Sequence, residues 1–311
     1  MELRKLGRNG PQISVVGYGA WEAGGEGWGG DVPDDQVRDA IRAGIEGGMN
    51  WVDTAEAYGD GRSEELVGSV LRDHPDVMVF TKVAPFGTGT KPAEVKRAIR
   101  GSLERLGRDH VDLYQVHWPD EENVPVEDTW GAMAELQDEG LVRCIGVSNF
   151  DRDLVERCRA IRHVDSVQNQ YSLLHQDDRT DLLPWLVEAG IGYLCYGPLA
   201  FGLLTGTIDE TTEFDENDWR GGNGNESYYR QLFAPGRLED SLAKVREANS
   251  VAGRFGVSLV SLALRAPLEV AGVTGVIAGS RNPKHVRANA EAGDLRLPSK
   301  AIEQLDASLP W

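Results

Sequence analysis

A chain of 311 residues with 41% hydrophobic content is long enough for one large α/β domain or two ordinary ones. Its formal net charge of −18 argues against nucleic acid and anionic membrane surfaces as partners. No run of about 18 apolar residues offers a membrane span, and the opening residues lack a signal-peptide core. Three scattered cysteines, Cys144, Cys158 and Cys195, form no metal spacing and suit a reduced compartment, so a cytoplasmic protein without a metal site is expected.

In chain order, LRKLGRNGPQIS alternates and is broken by Asn9-Gly10, a dipeptide that favours a positive-φ turn, so a short hairpin is expected first. Apolar runs of strand length then recur at 15–20, 51–55, 77–83, 111–117, 144–149, 166–172, 192–198 and 274–280. Helical periodicity fills the gaps. DDQVRDAIRAGIEGG shows three- and four-residue apolar spacing after an Asp cap, and KPAEVKRAIRGSLERLG carries Pro in its first turn. VEDTWGAMAELQDEG and DRDLVERCRAIR follow the same logic, and SKAIEQLDASLPW reads as a last helix outside the repeat.

Eight non-alternating strands, each followed by a helix, point to parallel pairing. No G-x-G-x-x-G follows the first of them, and the count of eight favours a closed (β/α)₈ TIM barrel over an open sheet. The expectation is a single α/β domain over 1–311, with an N-terminal β-hairpin and a long loop, 200–238, after strand seven. A loop of that length is usually functional or disordered, and here it would hang over the C-terminal face.

Polar residues gather at the ends of these strands. Asp53 ends the second, Tyr58 lies just beyond it, Lys82 is near the end of the third, and His117 ends the fourth. Ser148, Asn149, Gln168 and Tyr196 lie at the ends of later strands. Taken singly, Asp53 reads as a loop cap and His117 as a core histidine. A lysine in an apolar strand, however, needs a partner.

Together these groups suit carbonyl reduction. Hydride addition leaves an alkoxide that needs a proton, and a tyrosine can supply it, although a free phenol has a pKa of about 10. A cation at about 4 Å interacts by roughly 4 kcal/mol at an effective dielectric of about 20, or about three pKa units. Lys82 is placed to be that cation, Asp53 to hold it charged, and His117 to orient the substrate oxygen.

The chain resembles an aldo-keto reductase over nearly its whole length. WVDTAEAYGDGRSEELVG, FTKV, VDLYQVHWPD, IGVSNF, VQNQYS, YGPLAFGLLTG and IAGSRNPKHVRANA follow the family's order. The resemblance implies a barrel that reduces an aldehyde or ketone with NADPH, NADH being second choice. Carried over residue by residue, it makes Tyr58 the general acid, with Asp53, Lys82 and His117 completing a tetrad. Ser148, Asn149 and Gln168 would hold the nicotinamide carboxamide, and Tyr196 would stack on the ring. Gly197, Pro198, Leu199 and Gly202 would follow the pyrophosphate.

At the far end of the cofactor, Gly279 would allow close backbone approach and the helix opening at Asn282-Pro283 would turn its amides to a phosphate. Ser280 belongs to the same phosphate loop. Arg281 would fork onto a 2′-phosphate, and Asn289 would meet adenine. His285 stands where the family often has Gln, Ala288 where it often has Glu, and Ala20 where it often has Thr. Trp21, Trp28 and Trp118 are expected to line the pocket of a small carbonyl substrate. The alternative is a channel-subunit-like regulatory protein that binds the cofactor with little turnover.

Overall fold

The computed structural model describes residues 1–25, 27–120, 122–221, 229, 232–234 and 236–309. Glu26, Glu121, parts of the long loop (222–228, 230, 231 and 235) and the last two residues of the tail lie outside them.

The chain opens with strands β1 (Leu3–Lys5) and β2 (Gln12–Ser14), paired antiparallel with Arg4 opposite Ile13. The hairpin is where it was expected, but its turn is built differently. The positive φ falls on Gly7, at 58°, and not on Asn9-Gly10. Gly7 is packed so tightly against the backbone of Asp165 and Gly192 that a side chain there would collide.

Eight strands follow: β3 (Val16–Gly19), β4 (Trp51–Asp53), β5 (Met78–Val83), β6 (Val111–Val116), β7 (Val142–Ser148), β8 (Ser166–Gln170), β9 (Gly192–Tyr196) and β10 (Val273–Ala278). They close into a parallel barrel in the order β10-β3-β4-β5-β6-β7-β8-β9. Most end one or two residues earlier than their apolar runs, because residues such as Thr54, His117 and Gly197 leave the ladder to start loops.

The helices α1 (Asp34–Glu46), α2 (Arg62–Leu71), α3 (Pro92–Leu106), α4 (Val126–Asp138), α5 (Arg152–Arg159) and α6 (Leu182–Ala189) each connect successive strands. Two helices, α7 (Arg237–Arg254) and α8 (Leu259–Leu268), follow β9; α9 (Pro283–Glu291) and α10 (Ser299–Ser308) end the chain. Pro92 does open α3, and Asp151 caps α5 by accepting from the Leu154 amide at 2.9 Å. The Asp cap expected for α1 is absent: Pro33 is the cap residue, and Asp34 and Asp35 sit in the first turn, where they favour the helix dipole. Among the described residues no single helix is long and apolar enough to cross a membrane.

The barrel interior is layered. Trp51, Phe80, Leu113, Cys144, Leu194 and Ile277 form a buried apolar floor, which Leu6 and Ile13 of the hairpin close from below. The Trp51 indole donates to the Ser14 carbonyl at 2.8 Å, fastening the hairpin to the floor. Each such side chain contributes roughly 1.5–3 kcal/mol by leaving water. Strand alternation then puts Asp53, Lys82, Gln115 and Gln168 one layer higher, between this floor and the C-terminal mouth.

Candidate active site

The upper layer brings together groups from four strands. Lys82 is fully buried, and its Nζ donates to Asp53 Oδ1 at 2.5 Å and to the Thr54 carbonyl at 2.8 Å. The other oxygen of Asp53 accepts from Gln168 Nε2 at 2.8 Å and from Gln115 Nε2 at 3.5 Å. Tyr58 leans in from the β4–α2 loop. Its hydroxyl is 3.4 Å from Lys82 Nζ and 3.5 Å from His117 Nε2. Both contacts are longer than a formed hydrogen bond, which leaves room for a reacting oxygen to tighten them.

Burial and charge set the proton positions. Burial, and after it the Asp53 carboxylate, push the Tyr58 phenol well above its ordinary range. This reverses the sign expected from Lys82 alone, because Asp53 offsets the ammonium and the dry floor disfavours a phenolate. Tyr58 therefore keeps its proton at neutral pH, as a proton donor must. Burial pulls Lys82 below the ordinary lysine range, while Asp53 and then Glu64 push back.

Burial, reinforced by Lys82, holds His117 well below 6.5, so its imidazole is neutral at pH 7. The unfolded chain takes up this proton first. The stability His117 supplies is complete above about pH 6.5 and is lost as pH falls through the depressed native value. Thermal melts of His117→Gln should therefore show a shallower acid loss below about pH 6.5 than the parent; parallel curves would contradict the assignment.

The residues expected at the nicotinamide end converge on the mouth. Asn149 has a left-handed φ of 62°, costly for a residue with a side chain. That turn lets its amide donate to the His117 carbonyl at 3.0 Å and to Ser148 Oγ at 3.1 Å, while its oxygen accepts from the Tyr196 hydroxyl at 2.6 Å. Ser148 is fully buried beneath. Gln168 reaches the same layer, where its Nε2 supports Asp53.

Beyond Tyr196, the loop turns at Gly197 and Gly202, with φ of 64° and 106°, and Ala200 and Phe201 between them are also left-handed. Pro198 is buried and Leu199 half-buried; the Leu199 carbonyl accepts from the Gly202 and Leu204 amides, both at 3.1 Å.

The phosphate end departs from expectation in three ways. Gly279 is small because it abuts barrel strand β3: a Cβ there would lie 2.2 Å from the Gly19 carbonyl oxygen. The Lys284 amide in the first turn of α9 is already capped by Asn282 Oδ1 at 3.0 Å. Arg281 donates from Nη2 to the Trp28 carbonyl at 2.6 Å and from Nη1 to the Gly30 carbonyl at 3.1 Å. Ser280 Oγ accepts from the Asn282 amide at 3.1 Å and lies 3.3 Å from His285 Nδ1, and Asn289 is on the buried face of α9. A nicotinamide dinucleotide still fits this donor set. Arg281 rests on two neutral carbonyls and lies 3.9 Å from the Glu22 carboxylate, and a charged phosphate makes bonds about twice as strong as those to the carbonyls.

Trp21 stands over Tyr58 with ring centroids 6.1 Å apart, and Trp118 is half-buried at the end of β6. Trp28 does not take the expected place on the pocket surface. It is buried edge-on behind Trp21, at 4.8 Å, and against Trp219, at 5.7 Å. Three residues of the site escaped the sequence reading. Gln115 was legible in principle, because alternation puts it on the same face as His117. Trp219 and Tyr229 come from the long loop, where no periodicity marks them; the Tyr229 hydroxyl bonds that of Tyr196 at 3.1 Å.

The chain matches the model of the Aldo/keto reductase family over residues 15–310. It is 33% identical to the aldo-keto reductase YhdN of Bacillus subtilis over 319 residues, covering 99% of this chain and 94% of that protein. Among solved structures it is similar to a glycerol dehydrogenase of Gluconobacter oxydans, with a TM-score of 0.85 and 29% identity over 99% of this chain and 94% of that one. An aldo/keto reductase of Klebsiella pneumoniae in complex with NADP and acetate gives a TM-score of 0.76 and 29% identity over 99% and 96% of the two chains.

Proposed function

We propose that this chain, which belongs to the aldo/keto reductase family, reduces a small aldehyde or ketone to the alcohol, using NADPH in preference to NADH and Tyr58 as general acid. One observation carries the reading: a buried Lys82–Asp53 ion pair stands 3.4 Å from a phenol at the barrel mouth. A buried ion pair is weak as a source of stability and more telling as a functional device.

The bound cofactor supplies the hydride, and the protein manages the oxygen. A carbonyl oxygen seated between the Tyr58 hydroxyl and His117 Nε2 meets two donors, provided the neutral imidazole carries its proton on Nε2. Nothing else on His117 competes for that bond, since Nδ1 is buried without a partner among the described residues. As negative charge grows on the oxygen, Lys82 favours it through the phenol, and Tyr58 releases its proton only then. The native phenol is a weak acid, but an alkoxide is a far stronger base than a phenolate. Asp53 keeps the ammonium in place, and the apolar floor keeps the local dielectric low.

Initial rates with NADPH and NADH over a panel of aldehydes and ketones test the reading. Cofactor binding without turnover of any of them would transfer it to a regulatory role. For cofactor choice, Arg281→Met should weaken NADPH binding by about tenfold or more and NADH binding much less. Equal losses for both cofactors in direct binding titrations would remove Arg281 from the discrimination.

A further inference from the structure

Glu56 lies two residues before Tyr58 and takes no part in the chemistry above. It is only 6% exposed, an unusual place for a carboxylate. Its acceptors are all used on one neighbouring segment, the loop between β5 and α3. Oε1 accepts from the Ala84 amide at 3.1 Å and the Thr88 amide at 3.0 Å, and Oε2 accepts from the Thr88 hydroxyl at 2.7 Å. The carboxylate sits so close to this loop that a Cβ at Gly87 would lie 2.7 Å from Oε1. The Glu56 amide meanwhile donates to the Lys82 carbonyl at 3.3 Å, so the residue is fixed at both ends.

At the middle of the captured loop stands Phe86. It is 64% exposed, the most exposed of the large apolar side chains among the described residues, yet its ring lies 5.7 Å from that of His117. A free loop would not hold an aromatic ring in water beside a buried histidine. Together with the Gly87 and Gly89 amides on the Ala84 carbonyl and Arg97 on the Thr88 carbonyl, the three hydrogen bonds to Glu56 hold it. Charge-assisted bonds of this kind are the stronger class, and the burial of Glu56 raises the cost of breaking them.

We propose that Glu56 is a positioning residue: by gripping residues 84–88 it holds Phe86 over His117 as the outer wall of the substrate pocket, and so sets substrate affinity. Glu56 touches no reacting atom. Phe86 is the residue that determines specificity, opposite the wall formed by Trp21, and it favours carbonyl compounds with a flat apolar body. The inference rests on the carbonyl-reductase reading given above.

Glu56→Gln removes the negative charge and turns three charge-assisted bonds into neutral ones of about half the strength, and this loosens the loop. With the best carbonyl substrate of the panel, KM should rise about tenfold while kcat stays within about twofold, the pattern of lost uniform binding. Cofactor affinity and the pH profile should not move. Phe86→Ala should show the same split, and adding Glu56→Gln to it should raise KM no further, since the grip acts only through the ring. Thr88→Val, which removes a single hydroxyl, is the milder variant should Glu56→Gln fail to fold, and it should raise KM about threefold. A parent enzyme that turns over the panel while Thr88→Val and Glu56→Gln keep its KM overturns the proposal alone. So do fully additive effects of Glu56→Gln and Phe86→Ala, or a kcat loss with unchanged KM. A parent enzyme with no carbonyl turnover overturns the reading beneath it as well.

Discussion

Tyr58→Phe should bind NADPH as tightly as the parent and reduce carbonyl compounds about 10²–10⁴-fold more slowly. The substitution removes one oxygen and keeps the ring, so the 6.1 Å packing against Trp21 and the loop carrying residue 58 should survive. What disappears is the only hydroxyl that lies near both Lys82 Nζ and His117 Nε2 among the hydrogen bonds of the site. His117 cannot take over as proton donor at neutral pH, because burial and Lys82 keep it uncharged. The measurement is single-turnover loss of cofactor absorbance beside a fluorescence titration of cofactor binding. Turnover within about tenfold of the parent would show that the proton comes from water or another side chain.

Breaking the ion pair should be costly in a different currency. Asp53→Asn leaves the Lys82 ammonium buried with neutral acceptors and no counter-charge, and Lys82→Met leaves a buried carboxylate with two glutamine donors. Each should lower the unfolding free energy by about 3–5 kcal/mol. The double variant should recover much of that loss, because neither charge is then stranded. Reduction should stay abolished in all three. Denaturant titrations of the four proteins measure the coupling, and strictly additive losses would mean that the two charges do not depend on each other.

The barrel and the tetrad were legible in the sequence for the same reason. A parallel strand buried on both faces reads as an unbroken apolar run, and a polar residue at its end stands out. Asp53, Lys82 and His117 are of that kind. Other features depend on tertiary placement that no local pattern records. The grip of Glu56 on the Thr88 loop joins residues 32 apart, and nothing in DTAEAY distinguishes it from a solvated acid.

Arg281 donates to the backbone carbonyls of Trp28 and Gly30, which carry no residue signature, and lies 3.9 Å from Glu22, which is remote in sequence. The upward shift of Tyr58 follows from how dry its surroundings are, a property of the assembled barrel. α6 has no clean stripe to read: Leu182, Leu183, Leu186 and Ala189 are buried, yet Val187 between them is 53% exposed.

The hairpin has a consequence for traffic. With Leu6 and Ile13 seated under Trp51, Phe80 and Leu113, the lower end of the barrel is stoppered. Water and hydronium can reach Lys82 and Tyr58 from one direction only, the direction by which substrate enters. Under the proposed mechanism, the proton that Tyr58 would surrender is replaced through a doorway that the departing alcohol also uses, so recharging of the acid and clearance of the product would become a single, ordered queue.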